Sequence, residues 1–159
     1  MTEREKCINA LGGIVLDFAR LEHVFKNSIH FVSEVPVEKC LVMLARLSYT
    51  HVVDLFGDFV LVKFRDDKEG TKEVNELLKV ARDANDLRND LMHSYWFDNP
   101  MNPAKPFFKY KMRKKLKGIY TGQMLDFSLS DIKAVSTAIT KAYRHLVSFM
   151  RKHYVPNFH

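Results

Sequence analysis

Apolar positions recur at three- and four-residue steps over most of the chain, which is the spacing of amphipathic helices. Leu11, Ile14, Phe18, Leu21, Phe25 and Ile29 form a first stripe. It should end near Val35-Pro36, because a residue before proline is biased away from helical backbone. Glu22 and Lys26 stand i,i+4 on its flank. A second segment, about Val37 to Phe64, repeats Leu41, Leu44, Ser48, Val52, Leu55, Phe59 and Val62, and its wide apolar face predicts the central helix. The charged run Arg65 to Gly70 closes it. A third segment starts near Thr71, a suitable N-cap, and carries Leu77, Val80, Ala84, Leu87 and Leu91.

After Asn99-Pro100-Met101-Asn102-Pro103 the period changes from helical to two. Phe108, Tyr110 and Met112 alternate with Lys109, Lys111 and Arg113, which predicts a strand. Lys114 to Gly118 would turn it and Ile119 to Phe127 return, making a small basic hairpin. Ser128 and Asp131 have capping-box spacing and open a last helix marked by Ile132, Val135, Ile139, Ala142, Leu146 and Phe149. Tyr154 to His159 is expected to be loose. Amphipathic stripes joined by short connections bury best against each other. The expectation is an all-α fold in one domain over residues 1–159: an up-and-down bundle of four to five helices with a small basic β-hairpin or loop insertion before the last helix.

With 47% hydrophobic residues against 6 Gly and 5 Pro, the composition suits a packed globule. Met1 to Lys6 run into the amphipathic pattern without an apolar leader, and Arg46, His51, Asp54, Asp58 and Lys63 interrupt the most apolar stretch. These features predict a cytoplasmic chain with no membrane association. Cys7 and Cys40 lie on apolar faces without C-x-x-C spacing and read as buried thiols. The net charge of +6 is unevenly spread. Residues 1–80 hold 11 Lys/Arg and 13 Asp/Glu, whereas residues 81–159 hold 14 and 6, and seven of those 14 fall between Lys105 and Lys117. A basic block of this kind concentrates phosphate polyanions. Lys109, Lys111, Arg113, Lys114 and Lys115 are therefore candidate RNA-binding residues, although lysines also defend an exposed strand edge.

The remaining chemistry lies in Arg88-Asn89-Asp90-Leu91-Met92-His93. If Leu87 and Leu91 mark the buried face, Asn89 and His93 point about 200° and 240° from Leu87, with Arg88 on the flank at about 100°. A polar stripe then runs from Asn85 and Asp86 to His93. Leu87 to Trp96 resembles the R-x4-6-H motif of the HEPN superfamily in its four-residue form, with Asn after the Arg. Tyr95 extends it to R-x4-H-x-Y, as in HEPN toxins of toxin–antitoxin pairs. The likeness covers about ten positions, and the order of helices is also similar.

What the resemblance implies is metal-independent RNA cleavage at a composite site in a homodimer, in a toxin or phage-defence protein. Attack by a ribose 2′-OH needs a base, an acid for the leaving oxygen, and positive charge on the phosphate. His93 suits either proton role and Arg88 the charge; Asn89 would orient the imidazole or the substrate. Tyr95 would donate to phosphate or be modified, and an antitoxin or nucleotidyltransferase is the partner the likeness suggests. The bland alternatives are an Arg88 paired with Asp83 or Asp86, a solvated Asn89, and Tyr95 with Trp96 packing the helix end. The other reading of the chain is a non-catalytic helical module that binds RNA, a nucleotide or a protein. His23, His30, His145 and His153 lack ligand spacing, and no phosphate-binding glycine motif occurs, so neither metal nor cofactor is expected.

Overall fold

Thr2 accepts a hydrogen bond from the Glu5 N–H while the Glu5 carboxylate accepts from the Thr2 N–H, and this reciprocal cap opens α1 (Glu3–Ser33). Glu34, with φ 58°, ends the helix just before Val35-Pro36. The computed structural model describes residues 1–114 and 120–158, of which 111–114, 120, 121 and 123 are described by backbone alone. Glu22 and Lys26 pair at 2.6 Å on the flank of α1.

The single central helix expected over Val37 to Phe64 is two helices, α2 (Val37–Leu44) and α3 (Tyr49–Phe64). Ser48 explains the break. Its backbone is extended and its hydroxyl accepts from the His51 N–H, so a position read as part of a stripe is an N-cap. Next, α4 (Lys68–Met92) starts from Asp67, whose carboxylate accepts from the Glu69 and Gly70 N–H groups at 3.0 Å. Thr71, the expected cap, instead donates its hydroxyl to the Phe64 carbonyl.

Three strands follow, β1 (Tyr95–Asp98), β2 (Phe107–Lys114) and β3 (Tyr120–Phe127), in an antiparallel sheet of that order. The hairpin strands expected from the period-two pattern are β2 and β3; of their predicted turn, residues 115–118 lie outside the described residues. β1, for which the hydrophobic pattern predicts no strand, pairs Tyr95 with Tyr110 and Trp96 with Lys109. The Ser128 N–H donates to the Asp131 carboxylate at 2.8 Å and opens α5 (Leu129–His153), as the capping-box spacing predicts.

Packing closes four helices into a ring. α1 lies against α3 and α5, α4 also lies against α3 and α5, and α2 leans on α1. Edge-on contacts of Phe25 with Phe56 and of Phe56 with Phe149 tie α1, α3 and α5 together at the centre. Each such ring, fully buried, contributes about 1.5–3 kcal/mol. The sheet covers the end of the bundle where α1 begins and α4 stops: Arg4 pairs with Asp98 at 3.1 Å, and Trp96 packs edge-on against Phe107 and Phe127. The tail is not loose. Phe158 is 5% exposed and packs on Phe31, and its carbonyl accepts from Arg151 Nε at 2.8 Å. Among the described residues no helix is long and apolar enough to cross a membrane.

Candidate functional site

The buried face of α4 is Val74, Leu77, Leu78, Ala81, Ala84 and Leu91. Leu87, taken from the sequence as part of that face, is 44% exposed. Helical rotation therefore sets Arg88 about 40° from Ala84 and about 60° from Leu91, within the buried arc of α4 and not on an outer flank. The neighbouring helix leaves room for it. Tyr49 and Thr50, at the start of α3, meet α4 at Ala81 and Asn85, so the last turns of α4 run past α3. Arg88 then reaches α1, with its guanidinium 4.9 Å from the Phe18 ring centre and Nη1 donating to Asn89 Oδ1 at 2.9 Å. Neither Asp83 nor Asp86 pairs with Arg88 among the described residues.

His93 is the C-cap of α4, not its last helical residue, and its N–H donates to the Asn89 carbonyl at 3.0 Å. Its side chain is exposed. The next two carbonyls, which a helix end ordinarily leaves unsatisfied, are also taken: Ser94 Oγ donates to Asp90 and Trp96 Nε1 to Leu91. His93 thus stands at a helix end whose main chain is held by its own successor residues. Tyr95, the first residue of β1, is 63% exposed.

Lys109 faces differently from the expectation. Lys109 is 8% exposed, forms an ion pair with Asp90, and lies 5.1 Å over the Phe127 ring. Phe107 and Lys109 share the face turned to the bundle: Phe107, Phe127 and Trp96 make an aromatic layer there, Asp90 pairs with the Lys109 ammonium, and the Arg4 guanidinium lies 5.6 Å from the Phe107 ring centre. Lys111, Arg113 and Lys114 belong to the backbone of β2, and their side chains are outside the description. Lys115 lies outside the described residues altogether.

The structure therefore joins Arg88 to Asn89 directly, with His93 tied to Asn89 through the main chain. It sets Tyr95 on the adjoining strand and assigns Lys109 to a buried pair. Reading the sequence missed Phe18 and Asp90 as supports of this region, whereas Trp96, though not Tyr95, packs the helix end as one of the alternatives expects. Only Trp96 carried a signal, since a lone indole beside a helix end needs a partner for its N–H. Among the described residues no group of three or more His, Cys, Asp or Glu is placed to hold a metal ion. A fixed guanidinium and an accessible imidazole at one helix end can bind an anionic oxygen and transfer a proton. No family model, curated protein or solved structure matches the chain.

Proposed function

We propose that this chain is a metal-independent endoribonuclease of the HEPN type, acting as a homodimer in a toxin or defence role. The observation that carries the reading is the pairing of a held cation, Arg88 against Phe18 and Asn89, with the exposed imidazole of His93 at the end of the same helix. In this mechanism His93 of one subunit takes the ribose 2′-OH proton and that of the other protonates the departing 5′-oxygen. Arg88 stabilises the charge that builds on the phosphate. One imidazole per chain makes the second copy part of the chemistry. Exposed apolar side chains near this end, Ile8, Val15 and Leu16 on α1 with Leu87 and Met92 on α4, offer surface that a two-fold contact would bury. Tyr95 is accessible to a separate nucleotidyltransferase.

The test is incubation of purified protein with labelled RNA in excess EDTA, together with its mass in solution. Cleavage leaving a 2′,3′-cyclic phosphate, lost in His93→Ala, supports the proposal; a monomer, or full activity in that variant, refutes the composite site. One observation favours the other reading, a non-catalytic helical binding module: Arg88 already spends a donor on Asn89 within its own chain. Binding of RNA without any cleavage would decide for it.

A further inference from the structure

A second cationic surface lies along α5. Its buried residues Ile132, Val135, Ile139, Ala142, Leu146 and Phe149 occupy one arc of the helix, and each residue turns the helix by about 100°. Lys133, Thr137, Lys141, Arg144 and Ser148 all fall on the opposite arc, within about 80° of one another. All five are exposed. No Asp or Glu occurs in the sequence after Asp131. The carboxylates of packed neighbours that share a cleft with residues of α5 are Glu73 and Glu76 on α4, around a cleft of about 400 Å³ with Arg144 and His145, and Asp17 on α1, beside Thr140 and Tyr143. Two of them are occupied: Glu73 holds Lys152 and His153, and Asp17 lies 4.0 Å from Arg20. Among the described residues Lys133, Lys141 and Arg144 have no carboxylate within ion-pair distance.

We infer that this arc of α5 binds the sugar–phosphate backbone of a nucleic acid strand, at a place distinct from Arg88 and His93. From Lys133 to Arg144 the helix rises about 17 Å, or roughly five steps of a stacked strand at about 3.4 Å each. Ser148 at the end of the arc has a hydroxyl that can donate to a phosphate oxygen, while Thr137 donates its own to the Lys133 carbonyl at 2.9 Å. Protein interfaces are anchored by buried aromatic or aliphatic groups, and membrane-surface helices insert an apolar face. This arc has neither, so its chemistry is that of charge and hydrogen bonding alone. Its position is separate too. Arg88 lies on the side where Phe18 meets Tyr49 of α3, whereas α5 meets α3 only across the core and turns its charged arc outward.

The experiment uses the full chain and a single-stranded RNA of about 20 nucleotides with 2′-O-methyl groups, which cannot be cleaved and so separates binding from any ribonuclease activity. Affinity is followed by anisotropy over a salt series for the wild type and for Lys133→Gln/Lys141→Gln/Arg144→Gln. Loss of three phosphate contacts should weaken binding and flatten the slope of log K against log salt by about 2, at about 0.7 per contact on a single strand. A control, Lys39→Gln/Arg46→Gln/Lys72→Gln, removes the same charge from other exposed positions and should leave the slope near that of the wild type. Equal slopes in the α5 variant and wild type overturn the inference. So does a control that loses as much as the α5 variant, or a wild type that binds phosphatidylserine-containing vesicles but not RNA. Melting curves of both variants should match the wild type, since exposed substitutions usually change stability by less than about 0.5 kcal/mol.

Discussion

Asp90 and Lys109, 19 residues apart, form an ion pair that joins the last turns of α4 to the middle strand of the sheet. The Lys109 side chain is almost wholly covered while Asp90 keeps some contact with solvent. Lys109→Met keeps the aliphatic stem and removes the ammonium that faces Asp90 and lies over the Phe127 ring. Loss of a charged hydrogen bond at such a site should cost about 1–3 kcal/mol. At about 2–4 °C per kcal/mol, thermal melting would show it clearly. An unchanged Tm would return Lys109 to the role of a surface cation.

Arg88 and His93 should separate stability from cleavage. His93→Ala removes an exposed ring and should melt near the wild type, with cleavage lowered about 10²- to 10⁴-fold. Arg88→Ala should lower cleavage comparably, and it also loses the Phe18 contact, about 0.5–1 kcal/mol, and the Asn89 hydrogen bond. Paired melting and cleavage assays on the two variants check this. Equal Tm values for them would mean that the Phe18 contact contributes nothing.

Acid sensitivity should have a component at the other end of α4. Burial tends to raise the pKa of Glu73, but hydrogen bonds from Lys152 and His153 outweigh it and hold the carboxyl below its ordinary value. A carboxyl lowered in the folded state stabilises the protein above its unfolded value, about pH 4.3, and loses that contribution as pH falls towards the folded value. Glu73→Gln should therefore be less stable than wild type at neutral pH, with the difference closing below about pH 4. Urea unfolding at neutral and acid pH would measure the gap; a constant difference contradicts the linkage.

Gly70→Ala should destabilise even though alanine favours helix by about 1 kcal/mol. A Cβ at Gly70 would stand 2.1 Å from Cδ1 of Phe64, and that ring is itself wedged against Phe149 and His153. Overpacking of this sort costs about 1–3 kcal/mol. A Tm at or above the wild-type value would show that the Phe64 ring can move.

Helices with one clean apolar arc were legible in the sequence. Ser128 with Asp131 marked the start of α5, and Val35-Pro36 marked the end of α1. Where two roles compete for one residue, pattern alone failed. Ser48 fits an apolar stripe by spacing yet caps α3, because its hydroxyl satisfies a main-chain N–H. Leu87 fits the stripe of α4 by period, but only the placement of α1 and α3 decides which residues of that helix are covered. Lys109 reads as an outward cation until Asp90, in another element, is seen to neutralise it. Arg88, Asn89 and His93 stand out in the sequence as a motif, whereas the inward place of Arg88 against Phe18 depends on α3 starting too late to intervene. Such long-range facts have no local signature.

The ring of helices also bears on the order in which the chain is made. α1 packs along α5, yet about a hundred residues separate Ser33 from Leu129. At about 5–20 residues per second, α1 waits roughly 5–20 s on the ribosome before its partner has been synthesised. During that interval Ile14, Phe18, Leu21 and Phe25 have only α2, α3 and, once it is made, the Arg88 turn of α4 to cover them. The newly made N-terminal half is therefore where a chaperone would find apolar surface to hold, and emergence of α5 would release it.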